Sequence, residues 1–230
     1  MIPIQDNVPS RNVPLVTWGL ILLNGLVFLQ ELALPPEHLE RLIALLGMVP
    51  ARLDHDPAAW WTLLTCMFLH GGWLHFIGNM WTLFLFGDNV EDRMGPVRFL
   101  IFYLVCGLAA GLAHAFTNPS SAIPTIGASG AIAGVLGAYF LLFPTARVIT
   151  LIPVFFWPLI VEVPAVFYLG VWFVSQLFSG TLALLGPDHY AGVAWWAHVG
   201  GFVAGLVLLP LFHKPRQQYR RAYADEYWPW

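Results

Sequence analysis

The sequence predicts an all-α membrane protein, a bundle of six transmembrane helices with a large first loop outside the cytoplasm. Three observations point there. Of 230 residues, 58% are hydrophobic and 10% charged, and the mean hydropathy is +0.70, more apolar surface than a soluble domain of this length can bury. The 18 prolines and 21 glycines would disrupt a soluble helical bundle, whereas neighbouring helices and cavity linings accommodate them in a membrane. Apolar stretches also recur along the chain as candidates to cross a hydrocarbon core of ~30 Å, which takes about twenty helical residues.

The first span is expected from Pro14 to Leu34, after a polar N-terminal segment over residues 1–13, and reads as a retained anchor with no signal-peptide cleavage site. Pro35 to Trp73 carries Glu37, Glu40, Arg41, Arg52, Asp54 and Asp56 and reads as a large inter-helix loop. The second span is placed at Leu74–Gly87, the third at Pro96–Phe116 and the fourth at Gly127–Phe143, with charged Asp88 to Arg93 between two of them. From Val148 to Gly180 the chain stays apolar for about 50 Å at ~1.5 Å per residue, too long for one upright span. Pro153, Pro158, Glu162 and Pro164 interrupt it, so Val148–Val161 is expected to lie at the interface and Val163–Phe178 to be the fifth span. The sixth is Ala191–Phe212, and a basic tail over residues 213–230 follows, giving one domain over residues 1–230.

With six spans, Arg11, Arg93, Arg98, Arg147 and tail residues Lys214, Arg216, Arg220 and Arg221 share one side, against Arg41 and Arg52 on the other. Cationic loops stay cytoplasmic, so both termini are expected there. The net charge of −3, with no dense basic cluster, gives no support for nucleic-acid binding. Cys66 and Cys106 fit no metal spacing and are expected to be free thiols.

The second, fourth and sixth spans all run inward from the outer face, so their N-terminal ends share one depth. Those ends hold His75 and Asn79, Ser129, and His198. Serine is a poor nucleophile unless a neighbouring base takes its proton, and imidazole suits that task. His75 and Asn79 are four apart, on one helix face, and both can donate to an oxyanion, as can the N–H of Ser129 at the start of its helix. Gly127, Gly130, Gly134, Gly201 and Gly205 are expected to support close helix packing, bringing serine and histidine together. Gly107 and Gly111 read as another packing seam.

These residues resemble the rhomboid intramembrane serine proteases over almost the whole chain. The resemblance rests on Asp6-Asn7-Val8-Pro9-Ser10-Arg11, on His70 through Asn79, on Glu91-Asp92-Arg93-Met94-Gly95, on Gly127-Ala128-Ser129-Gly130 and on Ala197-His198. It implies a rhomboid-like bundle with Ser129 as nucleophile, His198 as base and later acid, and His75 and Asn79 as oxyanion donors. It implies a dyad, and no carboxylate occurs in the fourth or sixth span to orient His198. The chain departs from the family pattern where Thr62 follows Trp61, and where Ala133 replaces a tyrosine that stacks on the base. Trp195 or Trp196 is expected to confine the ring instead.

No His-Glu-x-x-His is present, and the aspartates lie in tails, loops or span ends, which sets aside metallo- and aspartyl intramembrane proteases. A transporter lacks its repeated half-structure here. The alternative within the fold is a pseudoprotease that binds transmembrane clients without cleaving them. The expected partners are single-pass or polytopic transmembrane protein substrates and membrane lipid, with no cofactor or metal. The expected location is a prokaryotic inner membrane. A polar loop, Gly186-Pro187-Asp188-His189, is expected to cap the site, and the fifth span to open laterally.

Overall fold

A computed structural model describes residues 1–154, 157–185 and 193–213; the proposed Gly186–His189 cap and the cationic tail from Lys214 fall outside them. The long apolar runs outside Val148–Val161 form helices: α1 (Leu15–Ala33), α4 (Trp73–Met94), α5 (Pro96–Thr117), α6 (Ser129–Leu142), α7 (Ala165–Leu185) and α8 (Trp195–Phe212). By length and composition α1, α5, α7 and α8 can each cross a membrane, and α6 is a shorter apolar helix. The chain is a mostly helical, multi-pass membrane protein.

At ~1.5 Å per residue α6 is only about 21 Å long. Its residues from Gly130 to Tyr139 are all buried, so it is the axis of the bundle and meets neighbouring protein on every side. Small residues make this possible. A Cβ on Gly130 would stand 2.6 Å from that of Ala110 on α5, and one on Gly201 or Gly205 would run into the carbonyl of Gly130 or Gly134. Backbone therefore touches backbone where α6 meets α8. Gly107 and Gly111 serve a different purpose: they receive Met67 and Leu63 from the connection between α1 and α4.

That connection, expected as a loop, is folded into α2 (Pro36–Leu46), α3 (Thr62–Thr65) and single 3₁₀ turns at Pro50–Arg52, Pro57–Trp61 and Cys66–Phe68. Trp60 and Trp61 on it and Trp73 at the head of α4 are exposed, as suits an aromatic belt. Burial among apolar neighbours pushes the Cys66 thiol up to about 12, so it is a packing group with little thiolate character.

The all-α expectation needs correction at one end. Val148–Val161, read as an interfacial segment, lies in an antiparallel hairpin of β2 (Arg147–Val154) and β3 (Trp157–Pro164), and β1 (Ile2–Asp6) completes a sheet of order β1-β2-β3. Prolines exclude a helix there, and the β-branched residues between them favour strand. Because β3 runs to Pro164, α7 begins at Ala165 and ends at Leu185, beyond the Phe178 limit expected for the fifth span. Phe167, Val171, Val174 and Phe178 form its exposed apolar stripe, and Leu169, Gln176 and Gly180 are buried on the opposite face.

The second span also runs past Gly87, because its charged end is consumed locally. The buried Glu91 carboxylate accepts from Val16 N–H at 3.0 Å and from the N–H and hydroxyl of Thr17 at 2.8 Å, capping α1 from another helix. Asp92 accepts from the Asn12 amide, and Asp6 accepts from Tyr139 and Asn89. Burial raises the Asp6 pKa above the usual carboxylate range. Arg93 stands over the Phe143 ring and reaches His213. Glu91→Ala leaves the first-turn donors of α1 without their acceptor and is expected to cost roughly 3 kcal/mol. Thermal unfolding in detergent checks this; an unchanged midpoint would remove the cap from the account.

Candidate active site

The starts of α4, α6 and α8 converge on a cavity of about 1450 Å³ lined by His75, Asn79, Ser129 and His198. Ser129 Oγ lies 2.8 Å from His198 Nε2. The glycine contact of α6 with α8 produces this approach, since both residues sit within one turn of that seam.

Gly127, expected to support helix packing, does not share in the helix seam. It is a turn residue with φ +124°, and a Cβ there would come 2.6 Å from His75 Nε2 and 3.6 Å from Asn79 Nδ2. Both its backbone conformation and the space above it require glycine. Its N–H donates to Cys66 O at 2.8 Å, which ties the serine turn to the α1–α4 connection. His75 and Asn79 thus stand over the approach to Ser129. His75 Nδ1 accepts from Gly71 N–H at 3.3 Å, which leaves the proton on Nε2, facing the site. Asn79 Nδ2 is buried without a hydrogen-bond partner among the described residues. A buried amide donor left unpaired is uncommon and costly, and it marks a position where an acceptor belongs.

The ring of His198 is held by groups the sequence reading only half identified. Trp195 stands edge-on at 6.3 Å between ring centroids, while Trp196 turns away to donate to Gly180 O at 3.2 Å. Trp172 of α7 packs on the ring at 6.0 Å, and Nδ1 lies 2.8 Å from Gln176 Oε1. Gln176 is the one side-chain amide in the fifth span, and an uncompensated polar group at that depth was the available signal. Glu31 was missed for the same reason: a buried carboxylate near the end of α1, it accepts the His70 N–H at 3.1 Å and anchors the turn that starts α4.

His70 itself is buried among Phe28, His75 and Phe76, with both ring nitrogens unpartnered among the described residues. Burial, helped by His75, pushes its pKa from the ordinary 6.5 down to about 4. The unfolded chain then binds a proton in this range that the folded one refuses. Stability is expected to fall as pH drops from about 6.5 to about 4. His70→Leu should remove that part of the dependence, measured as the difference in thermal midpoint between pH 7.5 and 5; an identical difference in both proteins would refute it.

The model of the rhomboid domain matches residues 57–215, more than half of the chain. The chain belongs to the rhomboid family. Among curated relatives, "RHOMBOID-like protein 5" of Arabidopsis thaliana is 37% identical over 93 residues, 40% of this chain and 30% of that protein. "Rhomboid-like protein 11, chloroplastic", from the same plant, is 29% identical over 175 residues, covering 73% of this chain and 58% of its own. "Rhomboid protease GluP" of Bacillus subtilis is 43% identical over 79 residues, 34% and 15% of the two chains. The rhomboid matched here thus spans less than two thirds of the length of these relatives. Plant proteins stand beside bacterial ones among them, so the similarity does not single out a prokaryotic membrane.

Proposed function

We propose that this rhomboid is an intramembrane serine endopeptidase. It would cleave transmembrane protein substrates near the outer membrane face, with α1 and α4–α8 as six spans and both termini on the cytoplasmic side. The observation that carries the reading is the 2.8 Å Ser129–His198 contact beside the Asn79 amide nitrogen, which has no partner among the described residues, in one cavity.

In this mechanism Ser129 Oγ attacks the scissile carbonyl while His198 Nε2 takes the hydroxyl proton. Negative charge develops on the carbonyl oxygen, and the Asn79 amide, His75 Nε2–H and the Ser129 N–H at the head of α6 are the donors available to it. His198 then gives the proton to the departing amine, leaving an acyl-enzyme on Ser129. Water, activated by the same imidazole, displaces the acyl group. The substrate helix must unwind locally, because its peptide bonds are otherwise occupied by their own hydrogen bonds, so helix-breaking residues should favour cleavage.

The test is cleavage of a fluorescent transmembrane substrate by detergent-purified protein, alongside labelling by a small fluorophosphonate. Activity that disappears in a folded Ser129→Ala variant supports the protease. Binding of transmembrane clients with neither cleavage nor labelling would favour the pseudoprotease.

A further inference from the structure

We propose that Gln176 is a positioning residue for His198, so that the reactive pair is completed by an uncharged third member supplied from α7. This rests on the protease reading. The evidence is the direction of the hydrogen bonds. Ser175 Oγ–H donates to Trp172 O at 2.6 Å, and Gln176 Nε2 donates to Ser175 Oγ at 2.9 Å and toward Trp172 O at 3.3 Å. Gln176 Oε1 is therefore the atom that faces His198 Nδ1 at 2.8 Å. The reverse amide orientation would set Oε1 against the Trp172 carbonyl, two acceptors with no proton between them.

An acceptor at Nδ1 fixes the tautomer: Nδ1 carries the proton, and Nε2 keeps the lone pair that Ser129 needs. Without it, an imidazole in this pocket can place its proton on Nε2 and turn a donor toward the serine. Soluble serine proteases lose about 10⁴-fold in rate when their histidine is held in the wrong tautomer. A carboxylate would do the same orienting work, but as an unpaired buried charge at membrane depth it is expensive, whereas a fully hydrogen-bonded amide is not. Gln176 is buried, and the single turn from Trp172 to Gln176 brings both the packing ring and the acceptor to His198. The other titratable groups that act on the ring among the described residues are His75 of α4 and His114 of α5, which line the same cavity.

Gln176→Leu is expected to lower fluorophosphonate labelling of Ser129 and kcat together by about 10–100-fold, with KM little changed. The small probe needs no passage of a substrate helix past α7, so a gating defect would spare it. Gln176→Glu restores an acceptor and should recover most of the labelling rate, with the acidic limb of kcat moved to higher pH; in Gln176→Leu the limb moves lower. In the wild-type protein, ¹⁵N shifts of the His198 ring should show a protonated Nδ1 and a bare Nε2. An Nε2–H tautomer, wild-type labelling in Gln176→Leu, or a Gln176→Glu variant as slow as the Leu one would each overturn the assignment. The ring shifts decide the matter even where a variant fails to fold. A wild-type protein that neither labels nor cleaves would instead count against the protease reading.

Discussion

His198→Ala should lower cleavage by about 10⁴-fold or more, and Ser129→Ala combined with His198→Ala should lose no more than either alone. The reason is that the 2.8 Å contact is a proton-transfer unit. A serine without its base is as inert as the absent serine, and a base without its serine has no proton to move. The residual rate in all three proteins would come from substrate orientation and the oxyanion donors. Additive losses in the double variant, measured under single-turnover conditions, would mean the two residues act in separate steps and would remove the dyad.

The second large effect is on folding. Gly205→Val puts its Cβ into the carbonyl of Gly134, a backbone atom that cannot rotate away. Overpacking usually costs 1–3 kcal/mol when side chains can shift; with main chain on both sides we expect about 3 kcal/mol or more. The helices that must separate are those bearing Ser129 and His198, so labelling of the serine should fall with the thermal midpoint. Gly19→Val, on α1 with nothing within 4 Å of its Cβ position, is the matched control and should be neutral. Wild-type stability in Gly205→Val would show that α6 and α8 are not held by backbone contact.

The helices and the approach of Ser129 to His198 were legible because their signals are local: apolar runs long enough to span, and rare polar groups at matching helix ends. The hairpin was not, because β2 and β3 are apolar on both faces although Trp157, Leu159 and Ile160 are exposed, and a continuous apolar run is indistinguishable by periodicity from interfacial helix. Only the prolines hinted at the break, and β1, the third strand, lies at the other end of the sequence. Gln176 was not legible because it is an uncharged amide on a third helix, whose approach to His198 depends on how α7 packs. An amide on a third helix is equally competent when its own protons are spoken for. Gly127, expected to support helix packing, serves a turn instead; its positive φ and the imidazole above it depend on a backbone geometry the sequence does not reveal.

The pairing of Ile2 with Leu151 sets an order of events during synthesis. At about 5–20 residues per second, the first strand leaves the ribosome on the order of ten seconds before its partner. For that interval the amino terminus has nowhere to dock in the sheet, and Tyr139, which holds Asp6, is also made late. The N-terminal strap can therefore close only after α1, α4, α5 and α6 have been made, before α7 and the helix that carries His198.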